Sequence, residues 1–252
     1  MRHHFSHLLP KIDSGEAIHK IQAHLESESR AALVIYACDA RTLTLYGEGD
    51  HYITQSYQEA NIILPDGRPV YWLSKWWLKK SFTQLTGPGL FAAVLSSDEL
   101  RLKRHMFYGG SERTVSTLMA KCREQGVNVV HAESPPFLPI DKLEVGKVNK
   151  MIKHHNPDFF WCGLGAPKQE FLLYQLEREN NVVMVGVGLA FDYYSGTVRK
   201  APNFISKLGL EWVMRYGQQP QRIGRFIKPL FYVGRLLVME IIRVRFQSAR
   251  QG

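Results

Sequence analysis

Short apolar runs that close on glycine, proline or aspartate alternate with helix-patterned segments from about residue 30 to residue 190. This alternation constrains the chain more than any other feature. It calls for an α/β fold: an open, mostly parallel, Rossmann-like sheet with helices on both faces. Crossovers of this kind are right-handed. Strands are expected at 33–37, 61–64, 106–108, 127–131, 158–162 and 182–187. Helices are expected at 51–60, 69–80, 112–125, 141–155 and from the Pro167 turn to about 180, with Ser111 as an N-cap. From Pro202 onward no strand pattern remains. Residues 203–217 and 219–247 read as helices, and Pro229 is expected to kink or break the second. The expected organisation is an N-terminal segment (1–30), an α/β core (31–202) and a basic amphipathic helical appendage (203–252).

The turn Gly163-Leu164-Gly165-Ala166-Pro167-Lys168-Gln169-Glu170 joins an apolar strand to a helix. Two glycines permit positive φ and close approach of a ligand. Pro167 suits the first helical position. The helix N-terminus, with Lys168 beside it, suits a phosphate or diphosphate. The same turn is common in parallel α/β proteins that bind nothing, so local physics leaves both readings open. Lys168 stands where a dinucleotide fingerprint needs its third glycine, and Gln169 follows Lys168 where a P-loop needs Ser or Thr. A nicotinamide-dependent oxidoreductase is disfavoured accordingly.

Open α/β sheets bind ligands at the carboxyl ends of their strands. The features falling there are Asp39, Asp66, Gly109-Gly110-Ser111, the Pro167 turn, and Gly186-Val187-Gly188 with Asp192. Asp66 is the best acid–base candidate, because a half-desolvated carboxylate can take a proton from a hydroxyl. Pro65-Asp66-Gly67 is also plain turn chemistry. Asp192 reads more readily as structural. The ten histidines form no metal pattern and Asp-x-Asp is absent. Trp72, Trp76 and Trp77 fit sugar stacking, core or membrane interface, and for at least one of them core or interface is the preferred reading.

Three scattered cysteines, Cys38, Cys122 and Cys162, make no disulfide framework or C-x-x-C motif. A reducing, cytoplasmic setting fits, and the first residues lack a secretory h-region. The formal charge of +9 is concentrated at one end. Residues 214–252 hold Arg215, Arg222, Arg225, Lys228, Arg235, Arg243, Arg245 and Arg250 against one acid, Glu240. Interleaved with bulky apolar residues, these charges fit an anionic membrane surface better than nucleic acid.

Several motifs together resemble the WecG/TagA/CpsF family of bacterial glycosyltransferases. They are Pro65-Asp66-Gly67, Phe107-Tyr108-Gly109-Gly110, Gly163-x-Gly165-x-Pro167-Lys168-Gln169-Glu170, Gly186-Val187-Gly188-x-x-Phe191-Asp192, Gly196-x-Val198-Arg199-Lys200-Ala201-Pro202 and Gly209-Leu210-Glu211-Trp212-x-x-Arg215 with Pro220-x-Arg222. The resemblance implies inverting, metal-independent transfer from a UDP-sugar to a polyprenyl-diphosphate-linked saccharide at the inner membrane face, without a cofactor. It implies Asp66 as base. It implies donor contacts from Asp39, Gly109, Gly110, Gly163, Gly165, Pro167, Lys168, Gln169, Glu170 and Gly188. Arg215, Arg222 and Arg225 would reach the acceptor diphosphate. Asp39 stands where the family usually has Asn, Gln84 where it has Arg, and Gly87-Pro88-Gly89 where it has Gly-x-Asp. These departures bear on donor identity. They also motivate an alternative, a non-catalytic membrane-associated scaffold in a polysaccharide synthesis complex. The sugar and the oligomeric state stay open, a homo-oligomer included.

Overall fold

The computed structural model describes residues 14–28, 31–78, 83–176, 181–199, 201–202, 217 and 224–248. Six strands form one sheet: β1 (Leu33–Cys38), β2 (Ile62–Pro65), β3 (His105–Gly109), β4 (Val129–Glu133), β5 (Phe159–Gly163) and β6 (Val183–Gly186). Their order is β2-β1-β6-β5-β3-β4, and every neighbouring pair is parallel. The inner strands are almost wholly buried, which explains their continuous apolar runs. Edge strand β4 is half-buried along its length.

Alternate residues of each strand feed two cores. On one face Val34, Tyr36, Cys38, Met106, Phe160 and Met184 pack against α2 (Ala40–Gly47), α3 (His51–Gln58), α4 (Arg68–Leu78), α7 (Val145–His155) and α8 (Lys168–Gln175). On the other, Ile35, Phe107, Phe159, Trp161 and Val185 pack against α1 (Ser14–Glu26), α5 (Gly87–Ser96), α6 (Glu112–Glu124) and α9 (Ala190–Ser195). Phe91 of α5 meets Phe107 and Trp161 edge-on, an arrangement that suits aromatic quadrupoles. Ser111 caps α6 by accepting from the Thr114 amide at 3.1 Å, as expected.

Several boundaries differ from the sequence reading. Helices α2 and α5 lie where none was expected, capped by Asp39 and Thr86. Strand β4 starts two residues late, because the Val127 amide still closes α6 on Cys122 and the Asn128 amide bonds Arg101. Helix α7 begins at Val145, after a single 3-10 turn at Ile140–Lys142. Pro167 is the N-cap of α8 rather than its first residue.

The last helix, α10 (Gly224–Ser248), runs unbroken through Pro229, which neither ends nor divides it. It packs on α2 and α4. Val233 and Leu236 join the first core. The Tyr232 ring fills the space that a side chain at Gly47 would need, and Lys228 pairs with Glu48 at 2.6 Å. Residues 203–216 and 218–223, the expected first appendage helix among them, lie outside the described residues.

Candidate active site at the carboxyl edge of the sheet

The carboxyl ends of adjacent strands β2 and β1 place Asp66 and Asp39 side by side. Asp66 is half-buried, and its amide donates to Cys38 O at 2.8 Å. Gln84 Nε2 donates to Pro65 O at 3.2 Å, which holds Gln84 beside the same strand end. Asp39 Oδ1 accepts from the Thr42 amide at 2.8 Å. A carboxylate is favoured at that position by the positive pole of α2.

Next in the sheet come the turns after β6 and β5, and Gln169 ties them together. Its Oε1 accepts from the Gly188 amide at 3.0 Å, and its Nε2 donates to Glu170 Oε1 at 3.1 Å. Gln169 is 3% exposed and Glu170 is fully buried. Ser56 of α3 fixes the same corner by donating to Glu170 O at 3.1 Å. Burial pushes the Glu170 carboxyl up to about 7. Hydrogen bonds from Gln169 and from its own amide pull it back, Asp39 raises it further, and the Arg41 cation lowers it. Among the described residues Glu170 Oε2 has no hydrogen-bond partner. The Cys38 thiol is also raised well above its ordinary value, by burial first and then by Asp39, Glu170 and Asp66. These four groups therefore share one electrostatic neighbourhood.

The helix N-terminus expected to receive a phosphate is thus largely occupied from within. Pro167 has no N–H, the Gln169 amide bonds Gly165 O, and the Glu170 amide serves its own carboxylate. Only Gly165 of the two turn glycines has positive φ, at 77°. Gly163 instead ends β5 opposite Gly109, whose φ is 124°. A Cβ on Gly109 would fall 2.6 Å from the Gly163 carbonyl carbon, so this pair must approach without side chains. Lys168 turns aside, its Nζ 3.4 Å from the centre of the Phe137 ring. The third strand end is closed by Ser134, which donates to Gly110 O at 2.8 Å.

Asp192 is structural in its contacts. Its carboxylate accepts from Thr114 Oγ1 at 2.8 Å and so fastens α9 to α6. Arg215 and Arg222 lie outside the described residues, and of Arg225 only its place in the first turn of α10 is described. Among the described residues no group of three or more His, Cys, Asp or Glu side chains is placed to hold a metal ion.

Half-buried and buried carboxyl groups among glycine turns, at the carboxyl edge of a parallel sheet, define an open α/β protein with its candidate ligand site at the strand ends. The comparison with known families makes this particular. The chain belongs to the glycosyl transferase WecG/TagA/CpsF family, whose description matches residues 6–247. It is therefore a glycosyltransferase, and the scaffold alternative is set aside. One relative, from Bacillus spizizenii, is 30% identical over 182 residues, 72% of this chain and 70% of the relative. A second, from Bacillus subtilis, is 28% identical over 67% of this chain and 65% of its own length. A third, from Staphylococcus aureus, is 27% identical over 66% and 65%. All three are named N-acetylglucosaminyldiphosphoundecaprenol N-acetyl-beta-D-mannosaminyltransferase.

Proposed function

We propose that this glycosyltransferase moves a sugar from a UDP-sugar to a polyprenyl-diphosphate-linked saccharide, with inversion and without a metal. The observation that carries the reading is Asp66, a half-buried carboxylate held at a strand end beside Asp39 and the glycine turns. Asp66 takes the proton from an acceptor sugar hydroxyl as that oxygen attacks the anomeric carbon. The bond from that carbon to the diphosphate oxygen breaks, and the electron pair leaves with UDP. Backbone amides of the glycine turns, other than the Gly188 amide taken by Gln169, stabilise the departing charge. The Asp39, Gln84 and Gly87-Pro88-Gly89 departures line the same edge and select the donor sugar. The relatives' shared name makes N-acetylmannosamine the first donor sugar to test, with N-acetylglucosaminyl-diphosphate-polyprenol as acceptor.

The basic C-terminal part supports work at an anionic membrane face, where each Lys or Arg adds about 1 kcal/mol. Among the described residues no helix is long and apolar enough to cross a membrane. Arg215, Arg222 and Arg225 remain the proposed contacts to the acceptor diphosphate. Asp66→Asn should lower kcat by about 10²-fold or more with little change in folding. Product formation by purified variant and wild type, scored by mass, decides this. Near-normal turnover removes Asp66 from the role of base.

A further inference from the structure

Helix α4 starts two residues after Asp66 and leads away from it. Its inward face is Val70, Leu73 and Trp77, all buried. Trp72 and Trp76 are four residues apart, so they share another face. They are 37% and 43% exposed. With Lys75, and with Leu237 from α10 opposite, they line a groove of about 420 Å³. That size lies in the range of small-molecule pockets. The core does not account for two exposed tryptophans framing a groove.

The order of chemistry along α4 names an occupant. First comes the Asp66 carboxylate. Then come two cationic heads at the Tyr71 ring, the Arg68 guanidinium at 5.4 Å and, at 5.7 Å, the ammonium of Lys75, which reaches back from between the two tryptophans. The apolar walls stand about 6 and 12 Å beyond the start of the helix, at 1.5 Å per residue. A sugar ring and a diphosphate span a distance of this order. A saccharide carried on a polyprenol presents its parts in the same sequence: reacting hydroxyl, diphosphate, hydrocarbon. We propose that the groove between α4 and α10 holds the first isoprene units of the acceptor's polyprenyl chain. This rests on the acceptor class proposed above, and it makes α10 one wall of a substrate site.

The test uses the full chain and farnesyl diphosphate, an isoprenoid diphosphate that carries no sugar. Calorimetric titration should show saturable binding, at least about tenfold tighter than inorganic diphosphate, with a negative heat-capacity change from apolar burial. Trp72→Ala/Trp76→Ala should weaken that binding by about tenfold or more, the loss of two aromatic walls. The single variant Trp76→Ala, at an exposed site, should weaken it in the same direction if the double variant folds poorly. Equal affinity for the two diphosphates, or unchanged affinity in the variants, overturns the proposal. So does a variant that loses co-sedimentation with anionic liposomes but keeps farnesyl diphosphate, since the patch then meets bilayer rather than acceptor. Groove binding in a wild-type protein that transfers no sugar to any polyprenyl acceptor leaves the groove standing and removes the transfer reading. Transfer without groove binding does the reverse.

Discussion

At the scale of the residue, Glu170 and His105 carry opposite pH signatures. Glu170 keeps its proton in the fold to about pH 7, while an unfolded chain loses it near the ordinary value of 4.5. Its stabilising share is therefore full below about pH 4.5 and falls until about pH 7. The loss reaches about 3 kcal/mol at the upper end. Glu170→Gln removes that ionisation while keeping an acceptor for Gln169. The melting temperature of the variant relative to wild type should shift in its favour by about 5 °C or more between pH 5 and pH 8. A constant difference across that range contradicts the assignment. His105 works the other way. Burial pushes it down to about 4, with Nε2 donating to Leu100 O and Nδ1 accepting from the Trp161 indole. Its share is full above about pH 6.5 and falls as pH drops toward 4. The two slopes oppose each other between about pH 4.5 and 6.5, so the shares of Glu170 and His105 offset each other there.

At the scale of the element, α10 is apolar on two sides. Val233 and Leu236 face the core, while Ile227, Phe231, Val238, Met239 and Ile242 are exposed. Deleting the helix would strip the core as well as the exposed side, so it is a poor probe of docking. Phe231→Asp/Ile242→Asp should instead lower co-sedimentation with anionic liposomes while leaving the melting temperature close to wild type. Retained co-sedimentation would remove this face from the docking surface. Gly47→Ala should push Tyr232 off α2 and cost about 1–3 kcal/mol, read from denaturant unfolding. A neutral result would mean that α10 is not seated there. The strands and the Ser111 cap were legible in the sequence because apolar runs and capping chemistry are local. Helix α2 was not, because Ala40-Arg41-Thr42-Leu43-Thr44-Leu45 alternates like a strand and its Asp39 cap reads equally as a ligand. Helix α5 opens on Gly87-Pro88-Gly89, which reads as a turn, and continues apolar without a period. The places of Asp66 and Asp39 were legible as strand ends. The Gln169–Gly188 tie was not, since it exists only because β5 lies next to β6.

At the scale of the whole molecule, the sheet has its last strand in the middle. β6 pairs with β1 on one side and β5 on the other, and among the described residues no other strand joins the two halves. In a chain still being synthesised the strand sets β2-β1 and β5-β3-β4 therefore each lack their inner neighbour until about residue 186 has left the ribosome. Open edges of apolar strands invite wrong pairing, and parallel pairs between distant segments form slowly. Stalled chains with residues up to 181 clear of the exit tunnel should be protease-sensitive and bound by chaperones, and chains with residues up to 202 clear of it should be protected. Equal protection at both lengths would show that the halves settle independently. The Gly188 amide that meets Gln169 comes two residues after this closing strand. The strand that completes the sheet thus also completes the candidate site, so a ribosome-bound chain cannot bring the Gln169 and Gly188 turns together until its two halves have been joined.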